Sequence, residues 1–324
     1  MRASTSFTRP AFRDPRWHER LEFSCVTTRE DLRASFVIDF LTNLDVADCW
    51  VAIDAGRSCP QTDFEFTDSQ IHLPIDGSQL SNVRLSNGLT IEAAPALHHY
   101  TLEYLSVCGR VAARLEFRAR TRAADQDFTF IGDAASSGDE GMAADDAAPG
   151  GRIDQPMHVT GELRIDDSFF TVDCHSNRSH EWGTTTSLPQ PSASVDEMHF
   201  SDELTVYLDT REVRETWNSV EHAYVVRKGR IRAVKAAMAV YDTSDTGAGK
   251  VRYEITDDAD DTYRISGSLT STGQMISGPN ELTAVRRIVA DWNGRTALGF
   301  STLVSDIREI QRRRRAHRHS PNSS

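Results

Sequence analysis

Turn dipeptides that suit left-handed backbone recur through this chain, and they constrain its fold more than any other feature. Asp76-Gly77, Asn87-Gly88 and Asn293-Gly294 are favoured at the tips of two-residue hairpins, because both central residues of a type I′ turn take positive φ. Lys228-Gly229 reads as another tip. Between such turns the stretches are short and alternate. Tyr263, Ile265, Gly267 and Leu269 share one face, and so do Leu163 and Ile165. Residues 286–300 read as two antiparallel strands joined at Asn293-Gly294. Helical spacing is confined to residues 304–315, through Val304, Ile307 and Ile310, and to a short turn near 28–32. The expectation is an all-β chain of many short strands.

One segment breaks the pattern. Residues 133–151 are small or acidic apart from Met142 and Pro149, too little apolar surface to offset the entropy of ordering them. They read as a flexible linker between two halves. The expected organisation is an N-terminal arm over 1–19, a β domain over 20–132, the linker, a second β domain over 152–305, and a basic tail over 306–324. Limited proteolysis is expected to cut the linker first.

The net charge of −12 argues against a nucleic-acid partner for the chain as a whole. The tail is the exception, with Arg308, four arginines from Arg312 to Arg315, and Arg318. It reads as a solvated segment or as a weak contact with an anionic membrane surface. No apolar run reaches the ~18–20 residues of a transmembrane helix, and residues 1–20 carry no secretory apolar core. Five cysteines, odd in number and without a CxxC, suit a reducing, cytoplasmic setting.

Nucleotide-binding loops and the GxSxG nucleophile elbow are absent. His98 and His99 are adjacent, so on a strand they point to opposite faces. His175 and His180, with Cys174 and Asp173 nearby, lack a zinc spacing. No metal and no cofactor are expected. Cys174 reads as a small core residue.

The informative stretch runs from His158 to Gly183. A strand meets a turn at Asp166-Asp167, a second strand follows, and then comes Arg178-Ser179-His180-Glu181-Trp182-Gly183. If this piece is extended, Arg178, His180 and Trp182 share one face, with Ser179 and Glu181 on the other. A cation, an imidazole and an indole on one wall make a ligand site. The imidazole can move a proton near neutral pH, the guanidinium can hold an oxygen, and the indole offers an apolar face.

This stretch resembles the hydroxyneurosporene synthase (carotenoid hydratase) and AttH-like group and related actinobacterial proteins, which carry a strand–turn–strand followed by Arg-Asp-His/Arg-Ser-Trp-Gly. Arg178, His180, Trp182 and Gly183 match that motif, whereas Ser179 stands where Asp is usual and Glu181 where Ser is usual. The Arg common after the Gly is replaced by Thr184-Thr185-Thr186. Weaker similarity of pattern extends over most of residues 20–305. The resemblance implies two tandem lipocalin-like (calycin) β-barrel domains with a ligand cavity. It also implies cofactor-free chemistry, such as hydration, isomerisation or cyclisation, on a hydrophobic polyene or terpenoid-like molecule. His180, Glu181 and Asp173 are then the candidate acid–base residues. Arg178, Trp182, His175, Trp217 and Tyr224 are candidate ligand contacts, the last two as lining of the second half. Two alternatives stay open. The same cavity could bind a lipid, isoprenoid or steroid without chemistry. The Arg178–Trp182 cluster could also be a structural latch at a barrel end.

Overall fold

The computed structural model describes residues 7, 14–27, 32–54, 64–75, 78–94, 98–121, 151–184, 193–214, 217–243, 249–278 and 281–318. The linker of the sequence reading, up to residue 150, and the Asp76-Gly77 turn lie outside them.

The chain is all-β and forms two tandem lipocalin-like units. The first unit holds β1 (Trp17–Thr27), β2 (Leu32–Leu41), β3 (Val46–Asp54), β4 (Phe66–Pro74), β5 (Asn82–Arg84), β6 (Leu89–Ala93), β7 (His99–Leu105), β8 (Val111–Ala119), β9 (Gly151–Ile165) and β10 (Ser168–Thr184). They make one curled antiparallel sheet in the order β4-β3-β2-β1-β10-β9-β8-β7-β6-β5. The second unit is a closed barrel of β11 (Ala193–Phe200), β12 (Leu204–Arg214), β13 (Trp217–Arg227), β14 (Arg230–Thr243), β15 (Gly249–Asp257), β16 (Thr262–Gly278), β17 (Glu281–Trp292) and β18 (Arg295–Asp306). Pairing of β11 with β18 closes it.

Domain assignment is corrected by this topology. β9 pairs with β8 and β10 pairs with β1, so residues 151–184 complete the first sheet instead of opening the second domain. The first compact unit runs through β10, and the second contains β11 onward. The expected cut at 133–151 follows a change in composition, whereas hydrogen bonding carries the sheet across it. The arm also ends earlier than residue 19, since β1 starts at Trp17 and both Trp17 and Glu19 are buried.

Turn chemistry accounts for the hairpins. Asn293 and Gly294 both have positive φ between Trp292 and Arg295, and so do Lys228 and Gly229 between Arg227 and Arg230. Gly161 is required for a different reason. With φ at +147°, a Cβ there would lie 2.1 Å from the Arg114 carbonyl oxygen of the neighbouring strand.

Each unit has its own apolar interior. In the first, Leu21, Phe23, Phe36, Ile38, Leu102, Phe117 and Val159 are among the buried core. In the second, Tyr263, Ile265 and Leu269 face inward with Met198, Val206, Val225 and Ile288, as the alternation requires. The helix α1 (Ile307–Arg318) begins three residues after Val304, which stays in β18. Arg308 is paired with Asp306 at 2.6 Å and Arg312 with Glu309 at 2.6 Å, so part of its positive charge is already met. Among the described residues no helix is long and apolar enough to cross a membrane.

Candidate functional site

Alternation along β10 sorts the sequence-derived candidates. Val172, Cys174, Ser176, Arg178, His180 and Trp182 share the face packed on the first unit's core. Asp173, His175, Asn177, Ser179 and Glu181 take the other face. Arg178 and His180 are buried, at 4% and 5% exposure, and Trp182 is half-buried. The expected common face of Arg178, His180 and Trp182 is therefore present and turned inward.

The neighbouring strands supply the rest. On β1, Phe23, Leu21 and Glu19 lie opposite Arg178, His180 and Trp182. On β9, Gln155, Ile153 and Gly151 do so from the other side. Glu19 is fully buried, and its Oε2 is 3.0 Å from His180 Nε2. With a carboxylate at Nε2, the tautomer carrying hydrogen on that nitrogen is favoured, which leaves Nδ1 as the basic atom. Burial pulls the His180 pKa below the ordinary histidine value; the hydrogen bond to Glu19 opposes this and the charge on Arg178 adds to it.

This depression fixes a pH dependence. Below the ordinary value of 6.5, the unfolded chain takes up a proton on this histidine that the folded chain refuses. Stability from this group is complete above that pH and is lost as pH falls toward the folded value. Thermal melts of the wild type should weaken more steeply on acidification than those of His180→Asn. Parallel curves would contradict the assignment.

The Trp182 indole packs against the His180 ring, with centroids 5.0 Å apart at 47°. Gly151 makes room for it, since a Cβ there would lie 2.3 Å from an indole carbon. Gly151→Ala should displace the indole at a cost of about 1–3 kcal/mol. A lower Tm and an altered tryptophan fluorescence would report it.

Arg178 is the least compensated group of the site. Its guanidinium lies over the Tyr100 ring, 4.8 Å from the centroid, and among the described residues its buried Nε has no hydrogen-bond partner. The Tyr100 hydroxyl is also buried without a partner. Burial lowers the Arg178 pKa and raises that of Tyr100. The guanidinium, read from the sequence as able to hold an oxygen, here meets a phenol face.

Behind the sheet, Asp154 lies directly opposite Ser179 and accepts hydrogen bonds from the Ser179 hydroxyl, Asn177 Nδ2 at 3.3 Å and Arg152 Nε at 2.9 Å. A carboxylate is thus present beside the position where the resembling family carries Asp, but it comes from β9.

The other candidates are not brought to this site. Glu181 and Asp173 are exposed on the outer face, with Asp173 bonded to His158 Nε2 at 2.7 Å. His175 lies on that outer face too, its ring edge-on to His158 with centroids 5.8 Å apart. Tyr224 is buried on the side of the second barrel opposite its core, where it stacks on Tyr207 at 5.0 Å. Pairing explains this. Tyr224 faces Tyr207, while Ala223 and Val225 face Leu208 and Val206 in the interior. The side chain of Trp217 lies outside the description.

Sequence reasoning missed Glu19, Tyr100 and Asp154. It also missed a polar cluster inside the closed barrel. There Asp196, fully buried, accepts hydrogen bonds from the Tyr241 hydroxyl, from Tyr253 at 2.7 Å and from Ser194 at 2.9 Å. Arg286 donates to Ser301 Oγ at 2.7 Å. Burial pushes both tyrosine pKa values well up, so both phenols stay protonated donors to the carboxylate.

The sequence matches, over residues 5–308, the family described as domain of unknown function DUF7064. No curated protein matches it. Among solved structures, kievitone hydratase from Nectria haematococca is similar with a TM-score of 0.54 and 12% identity, over 90% of this chain and 89% of that one. An AttH protein from Nitrosomonas europaea gives a TM-score of 0.59 at 12% identity, over 89% of this chain and 91% of that one. At such identity the likeness is one of fold, and the fold agrees with the AttH-like double-barrel architecture expected from the sequence.

Proposed function

We propose, for a chain that belongs to the DUF7064 family, that the first unit is a hydratase-type site for a hydrophobic small molecule. The observation that carries the reading is the buried His180–Glu19 hydrogen bond on an apolar interior face, beside the Trp182 indole. A histidine kept neutral by burial and oriented by a carboxylate is equipped to take a proton from water. The fold shared with kievitone hydratase supports the reaction class.

The step balances with this pair alone. Water oxygen bonds to one carbon of a C=C bond while His180 Nδ1 takes a water proton. The π electrons move to the neighbouring carbon and on into a conjugated carbonyl or carboxyl group of the substrate, which carries the charge. Glu19 holds the imidazolium that forms, and His180 then returns the proton to that neighbouring carbon. The sum is addition of one water, and the reverse path is dehydration. Trp182 forms the apolar wall against which the alkene lies. A reducing, cytoplasmic setting suits the thiols of Cys25, Cys49, Cys108 and Cys174.

The test is a panel of conjugated polyene and terpenoid alkenes incubated with the protein in ¹⁸O-labelled water. A product heavier by one labelled water, formed by wild type and not by His180→Ala, is the expected result. Binding without label incorporation across the panel would replace the enzyme with a carrier that uses the same interior face.

A further inference from the structure

We infer that the ligand of the first unit carries a carboxylate end, which seats on Arg178 with the Tyr100 hydroxyl as second donor. The inference rests on the reading of the site given above and adds its substrate class: an oxygenated, acid-headed molecule instead of a hydrocarbon.

Two buried donors without acceptors carry it. Arg178 Nε and the Tyr100 hydroxyl are both enclosed and both unpartnered, and the guanidinium lies over the phenol ring. Buried donors are nearly always satisfied in folded proteins, so a shared absence on one patch points to an acceptor that arrives from outside. Among the described residues, Arg178 also has no carboxylate within ion-pair distance. Asp154, the acidic group that acts on it, already has Arg152, Asn177 and Ser179 around its oxygens. Glu19 is engaged by His180, two positions further along β10. A buried cation without a close anion is costly, and an incoming carboxylate removes that cost while offering two oxygens to two donors.

A hydrocarbon polyene would leave both donors as they are and would cover a charge with apolar surface. The surroundings suit an apolar tail behind the acid. Phe23 sits 5.4 Å from the Tyr100 ring and 5.1 Å from Phe117, centroid to centroid. Arg178 and His180 are alternate residues on the same strand face. A carboxylate held at the first therefore puts a conjugated C=C bond toward the second.

The experiment measures binding, not turnover. Farnesoic acid, methyl farnesoate and farnesol share one chain and differ at the head, and retinoic acid with retinol makes a second set. Calorimetric titration of wild type should give acids bound about 10- to 100-fold tighter than their neutral counterparts, the range of a charge-assisted hydrogen bond. Arg178→Met should bind acid and alcohol alike, and Tyr100→Phe should lose several-fold on the acid only. The ligand-free Arg178→Met protein should melt at or above the wild-type temperature, because it sheds an uncompensated buried charge.

No acid preference in either set, or a preference that survives in Arg178→Met, overturns the inference. So does a fall in the ligand-free melting temperature of Arg178→Met together with unchanged acid binding by Tyr100→Phe. Acid preference without any water addition would sink the hydratase reading alone. Water addition with indifference to the head group would sink this one alone.

Discussion

Asp196→Ala should destabilise the closed barrel by about 3–5 kcal/mol, the cost of breaking a buried hydrogen-bonded charge cluster by removing one member. Asp196 is fully buried and takes three hydroxyl donors. Without it the Tyr241 and Tyr253 hydroxyls lose the carboxylate that accepts from them both. Ser194 keeps Ser301 at 2.9 Å, so its loss is smaller. Arg286, bonded to Ser301, would remain as a buried cation with no anion in the cluster. Urea unfolding should show the midpoint falling with little change in slope. Adding Tyr241→Phe and Tyr253→Phe to Asp196→Ala should recover part of the loss, because removing both sides of a buried bond costs less than removing one. Additive losses in the triple variant would show that packing, not polar pairing, dominates.

His180→Ala should reduce hydration by about 10²–10⁴-fold, the usual worth of a positioned acid–base group. Its effect on melting should be only a few degrees at neutral pH, since a neutral imidazole and one hydrogen bond are lost. Glu19→Gln tests the second member. The amide keeps the shape and can accept from Nε2, but it cannot stabilise the imidazolium by charge, so the rate should fall by less than in His180→Ala. Glu19→Ala should fall further and also lose stability, because it opens space beside Leu21 and leaves Nε2 unmatched. Steady-state rates on whichever alkene incorporates labelled water, measured beside thermal melts, separate the two effects. Equal rates in wild type and His180→Ala would remove this histidine from the chemistry.

How much of this was legible in the sequence varies with the range of the interaction. The hairpin tips at Lys228-Gly229 and Asn293-Gly294 were readable because the φ requirement is local to two residues. The inward face of Arg178, His180 and Trp182 was readable because a strand alternates. The same alternation puts Glu181 on the opposite, exposed face. Tyr224 is one residue out of phase with the interior positions Ala223 and Val225.

Glu19 was not found because its partner lies 161 positions away. Yet a trace of it exists: Trp17, Leu21, Phe23 and Cys25 are all buried on β1, and Glu19 is the one acid in that row. An acid at an apolar beat of a strand is a signal that local reading can catch. Ser194 and Asp196 break the row ahead of Met198 and Phe200 in the same manner. The domain boundary was misplaced because composition marks where a chain is weakly ordered, and sheets can continue past such a stretch through pairing at long range.

That pairing also sets a schedule. β1 leaves the ribosome well before β10, which completes one of its edges, with Phe23 opposite Arg178. At the usual ~5–20 residues per second, the nascent chain waits on the order of 10–30 s for that partner. During the wait β1 can pair with β2 alone, and a strand carrying Trp17, Leu21 and Phe23 on one face presents an open edge. Arg20 and Glu22, on the alternate face, place charges along that edge, a pattern that discourages pairing with a neighbouring chain. The site inherits this timing. The imidazole arrives long after the carboxylate that will hold it, which must be kept in reserve while the sheet between them is made.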